Sequence, residues 1–277
     1  MTFTPKGRRV LVTGAGSGIG RAIAERLSRS GCSVLATVRD AERARHLTAE
    51  AQRAALALEY RAMDLDSSEQ IDAFASALEA EGGVDVLVNN AGFGVYGAVE
   101  ETDRDEVARQ FQVNVFGPLH LTRRLLPSLR RRHGRIVWIG SLAGRQSLAF
   151  QGHYSATKAA TAAISDALRM ELKPLGVSVS CVEPGDVATG FTSARVIAAT
   201  AESVYADRAR RSLAVVERGE RTSRGPEAVA RAVEKLVMRR HPPPRVATGH
   251  LGRTIAVFLR LVPYRVAQAV VARLYRF

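Results

Sequence analysis

The feature that most restricts the fold is a run of glycines, Thr13-Gly-Ala-Gly-Ser-Gly-Ile-Gly20. It follows the apolar stretch Arg9-Val-Leu-Val12 directly and opens a helical stretch from Arg21 to Ser30. A lone glycine motif says little, whereas strand, glycines and helix in that order form the turn with which dinucleotide-binding folds hold a pyrophosphate. Gly14 permits the tight turn, Gly18 and Gly20 let backbone approach backbone, and a helix N-terminus offers unpaired N–H groups to an anion. Gly14, Gly16, Ser17, Gly18, Ile19 and Gly20 are the expected phosphate contacts. The competing reading is a tight strand-to-helix turn that holds no ligand.

Around this turn, short apolar runs alternate with helical patterns. The runs at Val10–Val12, Val34–Val38, Leu58–Met63, Val84–Val88, Ile136–Ile139, Val177–Val182 and Arg245–Thr248 imply seven strands. Strands separated by helices form right-handed βαβ units. The expected fold is α/β: a doubly wound, Rossmann-type, seven-stranded parallel sheet with helices on both faces. A chain of 277 residues fits this as a single domain spanning 1–277. There is no internal repeat or long linker, and His241-Pro-Pro-Pro244 reads as a short stiff connector before the last strand.

Two segments are less regular. Residues 186–224 have poor periodicity and are expected to form a mobile substrate lid. Residues 252–277 are expected to form a C-terminal helical tail, which Pro263 breaks into two short helices. A basic helix with an apolar face can rest in a membrane interface. The preferred reading is instead a cover for the pocket or a subunit contact, because arginines interrupt the apolar runs and no lipidation signal is present.

The chemistry is carried further along. Tyr154-Ser-Ala-Thr-Lys158 reads as helical, which places the tyrosine and the lysine on one face. An ammonium beside a phenol stabilises the phenolate, so the tyrosine can exchange a proton far below its ordinary pKa of about 10. Ser141 ends the apolar run Arg135-Ile-Val-Trp-Ile-Gly-Ser141, and a strand's carboxyl end is where open α/β sheets put their ligands. Ser141, Tyr154 and Lys158 together suit proton transfer to or from a carbonyl or alcohol oxygen.

From about Gly7 to Thr189 the chain resembles the short-chain dehydrogenase/reductase family. The resemblance rests on Thr13-Gly-Ala-Gly-Ser-Gly-Ile-Gly20, Asn89-Asn-Ala-Gly92, Asn114, Ser141, Tyr154-Ser-Ala-Thr-Lys158, Pro184-Gly185 and Thr189. Ala36-Thr-Val-Arg-Asp40 and Val182-Glu-Pro-Gly185 look closest to the 17β-hydroxysteroid and retinol dehydrogenase branch. The resemblance implies a catalytic set of Asn114, Ser141, Tyr154 and Lys158, with Asn114 holding a water in a proton relay and Lys158 also binding the nicotinamide ribose. It implies adenine contacts at Asp64 and Leu65, ribose contacts at Asn90, Ala91 and Gly92, and nicotinamide contacts at Pro184, Gly185, Val187 and Thr189. It also implies a homodimer or homotetramer.

A carboxylate at the end of the second strand binds the ribose 2′-hydroxyl of NAD, whereas an arginine accommodates the 2′-phosphate of NADP. Here the strand ends on Val38 and Arg39 follows. A guanidinium grips a phosphate with paired hydrogen bonds, so NADP is favoured over NAD. Asp40, one residue on, is the rival ribose contact.

The formal charge of +13 raises nucleic acid as a partner, yet no recognition helix, zinc spacing or aromatic-basic interleaving accompanies it. Neither nucleic acid nor a metal is therefore expected. Cys32 and Cys181 are too few for a disulfide framework. The apolar run near the N-terminus breaks at Gly14, which argues against a signal peptide, and the expected compartment is the cytoplasm. The expected activity is NADP(H)-dependent interconversion of a ketone or aldehyde and an alcohol on an apolar small molecule. Walls for that substrate are expected from Phe93, Tyr96, Leu148, Phe150 and Phe191, with His153 at the rim and Arg145 either exposed or facing a substrate acid. The rival readings are an epimerase, dehydratase or lyase without net redox change, and an NADP-binding regulatory protein.

Overall fold

The computed structural model describes residues 7–188, 196–198, 202–223, 225–249 and 252–275. The first half runs β1 (Arg9–Val12), α1 (Gly18–Arg29), β2 (Ser33–Val38), α2 (Ala41–Arg53), β3 (Leu58–Ala62), α3 (Ser68–Ala80) and β4 (Val86–Asn89). After a two-residue β5 (Val95–Tyr96) come α4 (Arg104–Phe111), α5 (Gly117–Arg131), β6 (Arg135–Ile139), α6 (Gly152–Leu172) and β7 (Ser178–Pro184). The chain continues through β8 (Val196–Ile197), α7 (Ala206–Thr222), α8 (Glu227–Met238), β9 (Arg245–Thr248), α9 (Gly252–Leu261) and α10 (Tyr264–Leu274).

Seven strands form one parallel sheet in the order β3-β2-β1-β4-β6-β7-β9. All seven expected runs are in it, so the doubly wound Rossmann architecture stands. Successive side chains on a strand point to opposite faces, and the sheet is buried on both. Val10 and Val12 of β1 pack with residues of α1, α2 and α8. Leu11, between them, packs on the other side with residues of α3 and α5. Sequence order reverses between β1 and β4, which opens a crevice at the carboxyl ends of those strands.

A smaller structure lies beyond those ends. β5 and β8 pair in parallel, and each is too short to leave a periodic signal. Residues 206–222, inside the segment that lacked clear periodicity, form the 17-residue α7. Arginine and glutamate crowd this helix and mask its apolar face, which the fold nevertheless uses: Ala209 and Val216 join Tyr96 and Phe150 in a third core cluster. Pro263 separates α9 from α10. Among the described residues no helix is long and apolar enough to cross a membrane.

Arg145 is neither an exposed residue nor a contact for a substrate acid. Its guanidinium lies 2.5 Å from the carboxylate of Glu183, which is 1% exposed, and Arg245 meets the other oxygen at 3.1 Å. Arg245 in turn pairs with Asp166 on α6, so the network ties β7, β9 and α6 together. Removing the central acid leaves two half-buried cations facing each other. Glu183→Ala should therefore lower the unfolding free energy by about 2–3 kcal/mol, the partial exposure of both arginines keeping it below a fully buried pair. Urea denaturation checks this, and an unchanged midpoint would show that the network is dispensable.

Candidate active site

The glycine turn is built around backbone contact. Gly14 has φ +64°, and a Cβ there would fall 2.7 Å from the Cα of Ala91. Only glycine lets the turn after β1 lie against the turn after β4. Polar bonds fasten the two: Thr13 Oγ1 accepts from the N–H groups of Asn90 and Ala91, and the Asn90 amide donates to the carbonyls of Thr13 and Gly14. Asn89 is buried and its amide donates to Thr122. The side chains of Asn89 and Asn90 thus brace the scaffold.

The N-terminus of α1 differs from its neighbours. Asp40, Ser67 and Asp103 cap α2, α3 and α4 by accepting N–H bonds from their first turns. Ser17, at the same position of α1, makes no side-chain cap, and the first turn carries no acid. Unpaired N–H groups and the positive end of the helix dipole are thereby left for an anion. The residues present fit a dinucleotide pyrophosphate.

One cavity of about 970 Å³ runs from this turn across the sheet edge. At one end it is lined by Gly14, Gly16, Ser17, Gly18, Ile19 and Gly20, together with Arg39, Asp64, Leu65, Asn90, Ala91 and Gly92. Asp40 lies there too, but its carboxylate is committed to the Arg43 N–H at 2.6 Å. Arg43 is a residue the sequence reading missed. It lines the same end, with its guanidinium donating to the Gly16 carbonyl, so two cations stand beside the end of β2. Its signal was faint, a third-position arginine in a helix already rich in them. Asp64 accepts from the Asp66 N–H and so has a turn role besides its place on the wall.

Ser141, Tyr154 and Lys158 line the other part of the cavity. Ser141 ends the segment after β6, and its Oγ accepts from the Ala143 N–H at 3.1 Å. That bond uses a lone pair and leaves the hydroxyl proton to donate. Tyr154 and Lys158 stand on α6 with the ammonium 5.7 Å from the phenol ring centroid. Asn114 does not line the cavity. It lies in a π-helical turn, Gln112–Phe116, behind Gly92, where its amide bonds both backbone groups of Phe93 and the Thr157 hydroxyl. A π-turn interrupts the regular ladder and is frequent at functional sites.

Pro184, Gly185 and Val187 also line the cavity, whereas Thr189 and Phe191 lie outside the described residues. Of the expected apolar wall, Phe93 and Leu148 face the cavity, while Tyr96 and Phe150 belong to the third core cluster. His153 is not among the lining residues, and its Nε2 is buried without a hydrogen-bond partner among the described residues. The tail helices supply wall instead: Ile255, Phe258 and Leu259 from α9, and Val270, Val271 and Leu274 from α10. Two buried polar side chains that the sequence reading passed over, Gln146 and Gln151, also line the cavity.

Residues 8–198 match the family described as short chain dehydrogenase. The chain is 35% identical over 250 residues to 3-ketodihydrosphingosine reductase of Bacteroides thetaiotaomicron, covering 87% of this chain and 88% of that one. It is also 35% identical over 187 residues to NADPH-dependent 3-dehydrocapnine reductase of Ornithobacterium rhinotracheale, covering 66% of each. The fold matches a short-chain dehydrogenase/reductase of Burkholderia phymatum in complex with NAD, with TM-score 0.80, 28% identity and 93% of both chains covered. A metagenomic short-chain oxidoreductase in complex with NADP matches with TM-score 0.69 and 30% identity, over 87% of this chain and 96% of that one. The chain belongs to the short-chain dehydrogenase family.

The cradle of this dehydrogenase is therefore a nicotinamide-dinucleotide site, and Lys158 is its most perturbed cation. The side chain is 6% exposed and its ammonium donates to the Ile139 carbonyl at 2.9 Å. Burial disfavours the charged form and pushes its pKa down to about 8. Below that pH the free protein presents an ammonium to the cavity, and above it a neutral amine. Dinucleotide affinity should be level below about pH 8 and fall as pH rises through it. Fluorescence titration of the reduced cofactor checks this: Lys158→Met should bind more weakly and lack that limb, and an identical limb in the variant would assign it elsewhere.

Proposed function

We propose that this dehydrogenase uses NADPH to reduce a ketone or aldehyde on an apolar small molecule, and runs the reverse oxidation with NADP. One observation carries the reading: Ser141, Tyr154 and Lys158 share a single cavity with the uncapped end of α1 and the Arg39–Arg43 pair. When bound, the dinucleotide supplies a hydride to the carbonyl carbon. Tyr154 donates its phenol proton to the carbonyl oxygen as general acid. Ser141 donates a hydrogen bond to that oxygen where negative charge develops. Lys158 holds the resulting phenolate through its ammonium, and a solvent proton restores the phenol.

NADP is favoured by charge. Arg39 and Arg43 flank the end of β2, and Asp40 beside them accepts the Arg43 N–H in capping α2. The NADP complex of one relative and the NADPH dependence of another support the choice. The apolar faces of α9 and α10 in the cavity support an apolar substrate and a pocket-covering role for the tail. The keto substrates named for the two curated relatives fit the same reading.

Tyr154→Phe should abolish NADPH oxidation by ketones while leaving NADPH binding near the native value, since the phenol acts mainly in the transition state. A ketone panel followed at the reduced-nicotinamide band tests both. Turnover of a substrate with no change in that band would replace the reading with a reaction lacking net redox change. Arg39→Ala should weaken NADP by roughly tenfold to a hundredfold, the worth of a charge-assisted hydrogen bond to phosphate, and leave NAD nearly unchanged. Equal losses for both dinucleotides would make Arg39 structural.

A further inference from the structure

Exposed apolar surface and unpaired positive charge coincide on α9 and α10. Of the thirteen large apolar residues exposed among the described ones, seven lie between Ile255 and Leu274. Leu261 and Tyr264, on either side of the break at Pro263, are 76% and 62% exposed. Scattered apolar residues on a surface need no explanation, but a contiguous group marks a place where something docks. Glu234 is the last acid in the sequence, so Arg253, Arg260, Arg265, Arg273 and Arg276 meet no carboxylate on their own segment. Among the described residues, Arg253, Arg260, Arg265 and Arg273 pair with none on any other element either. Arginines of α1, by contrast, are matched by acids, as Arg21 is by Glu25 and Glu50.

Helical geometry separates this surface from the cavity wall. Residues on an α-helix advance by about 100° each. Measured from Arg253, the exposed residues Val257, Arg260 and Leu261 fall within about 80°, whereas the cavity-lining Ile255, Phe258 and Leu259 fall about 140–240° away. On α10, Arg265, Ala269 and Arg273 recur at every fourth position and so share one side. The cavity-lining Val270, Val271 and Leu274 lie about 100–200° from Ala269. Each helix thus turns one side to the cavity and another, basic and partly apolar, to the outside.

We infer that the outer side of α9 and α10 docks on an anionic phospholipid surface, with Val257, Leu261, Tyr264 and Val266 entering the headgroup boundary and the arginines meeting lipid phosphates. An arginine can lay its aliphatic stem along apolar surface and keep its guanidinium at the headgroups, which suits a patch where the two residue types alternate. A second copy of the chain fits poorly. A two-fold contact sets the same patch on itself, and this one would bring arginine to arginine with no acid to offset them. Nucleic acid would use the charge and leave Val257, Leu261 and Val266 without a partner, since its backbone presents phosphates and sugars. The docking side is distinct from the cavity side, so the inference stands apart from the reaction proposed above.

Flotation of the full chain tests this with two vesicles, phosphatidylcholine alone and an equal mixture of phosphatidylcholine and phosphatidylglycerol. The protein should float with the mixture, stay behind with phosphatidylcholine alone, and be released as salt rises. Arg260→Gln and Arg265→Gln should each weaken vesicle binding roughly fivefold, the worth of one cation at an anionic surface. Leu261→Asp should weaken it roughly tenfold or more, because a charge then replaces an inserted apolar group. Far-ultraviolet circular dichroism separates lost docking from lost fold. A gain-of-signal variant, Leu261→Trp, should shift its emission to the blue on the mixed vesicles alone. No flotation, equal flotation with both vesicles, or binding that survives all three substitutions overturns the inference. So does duplex DNA binding as tightly as the mixed vesicles with Leu261→Asp having no effect on either, which would leave a general polyanion surface. If the substitutions change the oligomeric state in size-exclusion chromatography and leave flotation untouched, the occupant is a second copy and the lipid assignment falls.

Discussion

Everything in the site depends on the contact between the turn after β1 and the turn after β4. Gly14 gives the closest approach, and Thr13 and Asn90 convert it into a polar lock in which a hydroxyl and an amide satisfy backbone groups on both sides. A parallel sheet reverses its winding between these two strands, so the crevice would form in any case. The lock decides what the crevice is lined with. It holds the start of α1 open, with no side chain in the position where α2, α3 and α4 carry a cap. It also fixes Ala91 and Gly92 in the cavity wall that α6 shares. The side chains of Asn89 and Asn90 act as fasteners.

Arg39 and Arg43 line the cavity beside the end of β2, and Lys158 lies buried in its wall. A buried lysine costs desolvation free energy, which appears as the downward pKa shift. The Ile139 carbonyl and the nearby phenol ring offset part of it. An ammonium held this way stabilises a phenolate strongly because little water screens it. The net charge of the chain says nothing of this arrangement. Several of its arginines sit in surface pairs with nearby acids, such as Arg21 with Glu25 and Arg61 with Glu59.

What was legible in the sequence follows from the range of the interactions involved. The seven strands, the phosphate turn, Ser141 and the Tyr154–Lys158 pair are local patterns with a fixed spacing, and all were readable before the fold. Arg43, Gln146 and Gln151 were not, because their place in the cavity wall is set only after the chain has closed around the cavity. Arg145 was misjudged for the same reason, since its partner Glu183 lies on another strand. The helix α7 was hidden because its apolar face is narrow among arginines and glutamates. Its packing partners, Tyr96 and Phe150, come from segments far away in sequence.

The division between the core and the substrate wall has a physical consequence. The two main clusters, one on each face of the sheet, anchor the strands and helices of the scaffold, and their core side chains are almost entirely buried. The wall draws on the smaller third cluster and on α9 and α10, where only Gly252 and Ala267 are buried. Elements with few buried contacts open at low free-energy cost, and substrate-handling segments come from that end of the stability range. A substitution on α9 or α10 can therefore reshape the pocket without loosening the strands that hold Ser141 or the helix that holds Tyr154. Gln146 and Gln151 stand on the other side of that division. They sit between Ser141 and Tyr154 in sequence and are nearly as buried as the core, so their place in the cavity wall is fixed by the rigid scaffold, whereas α9 and α10 supply apolar wall from the less buried tail.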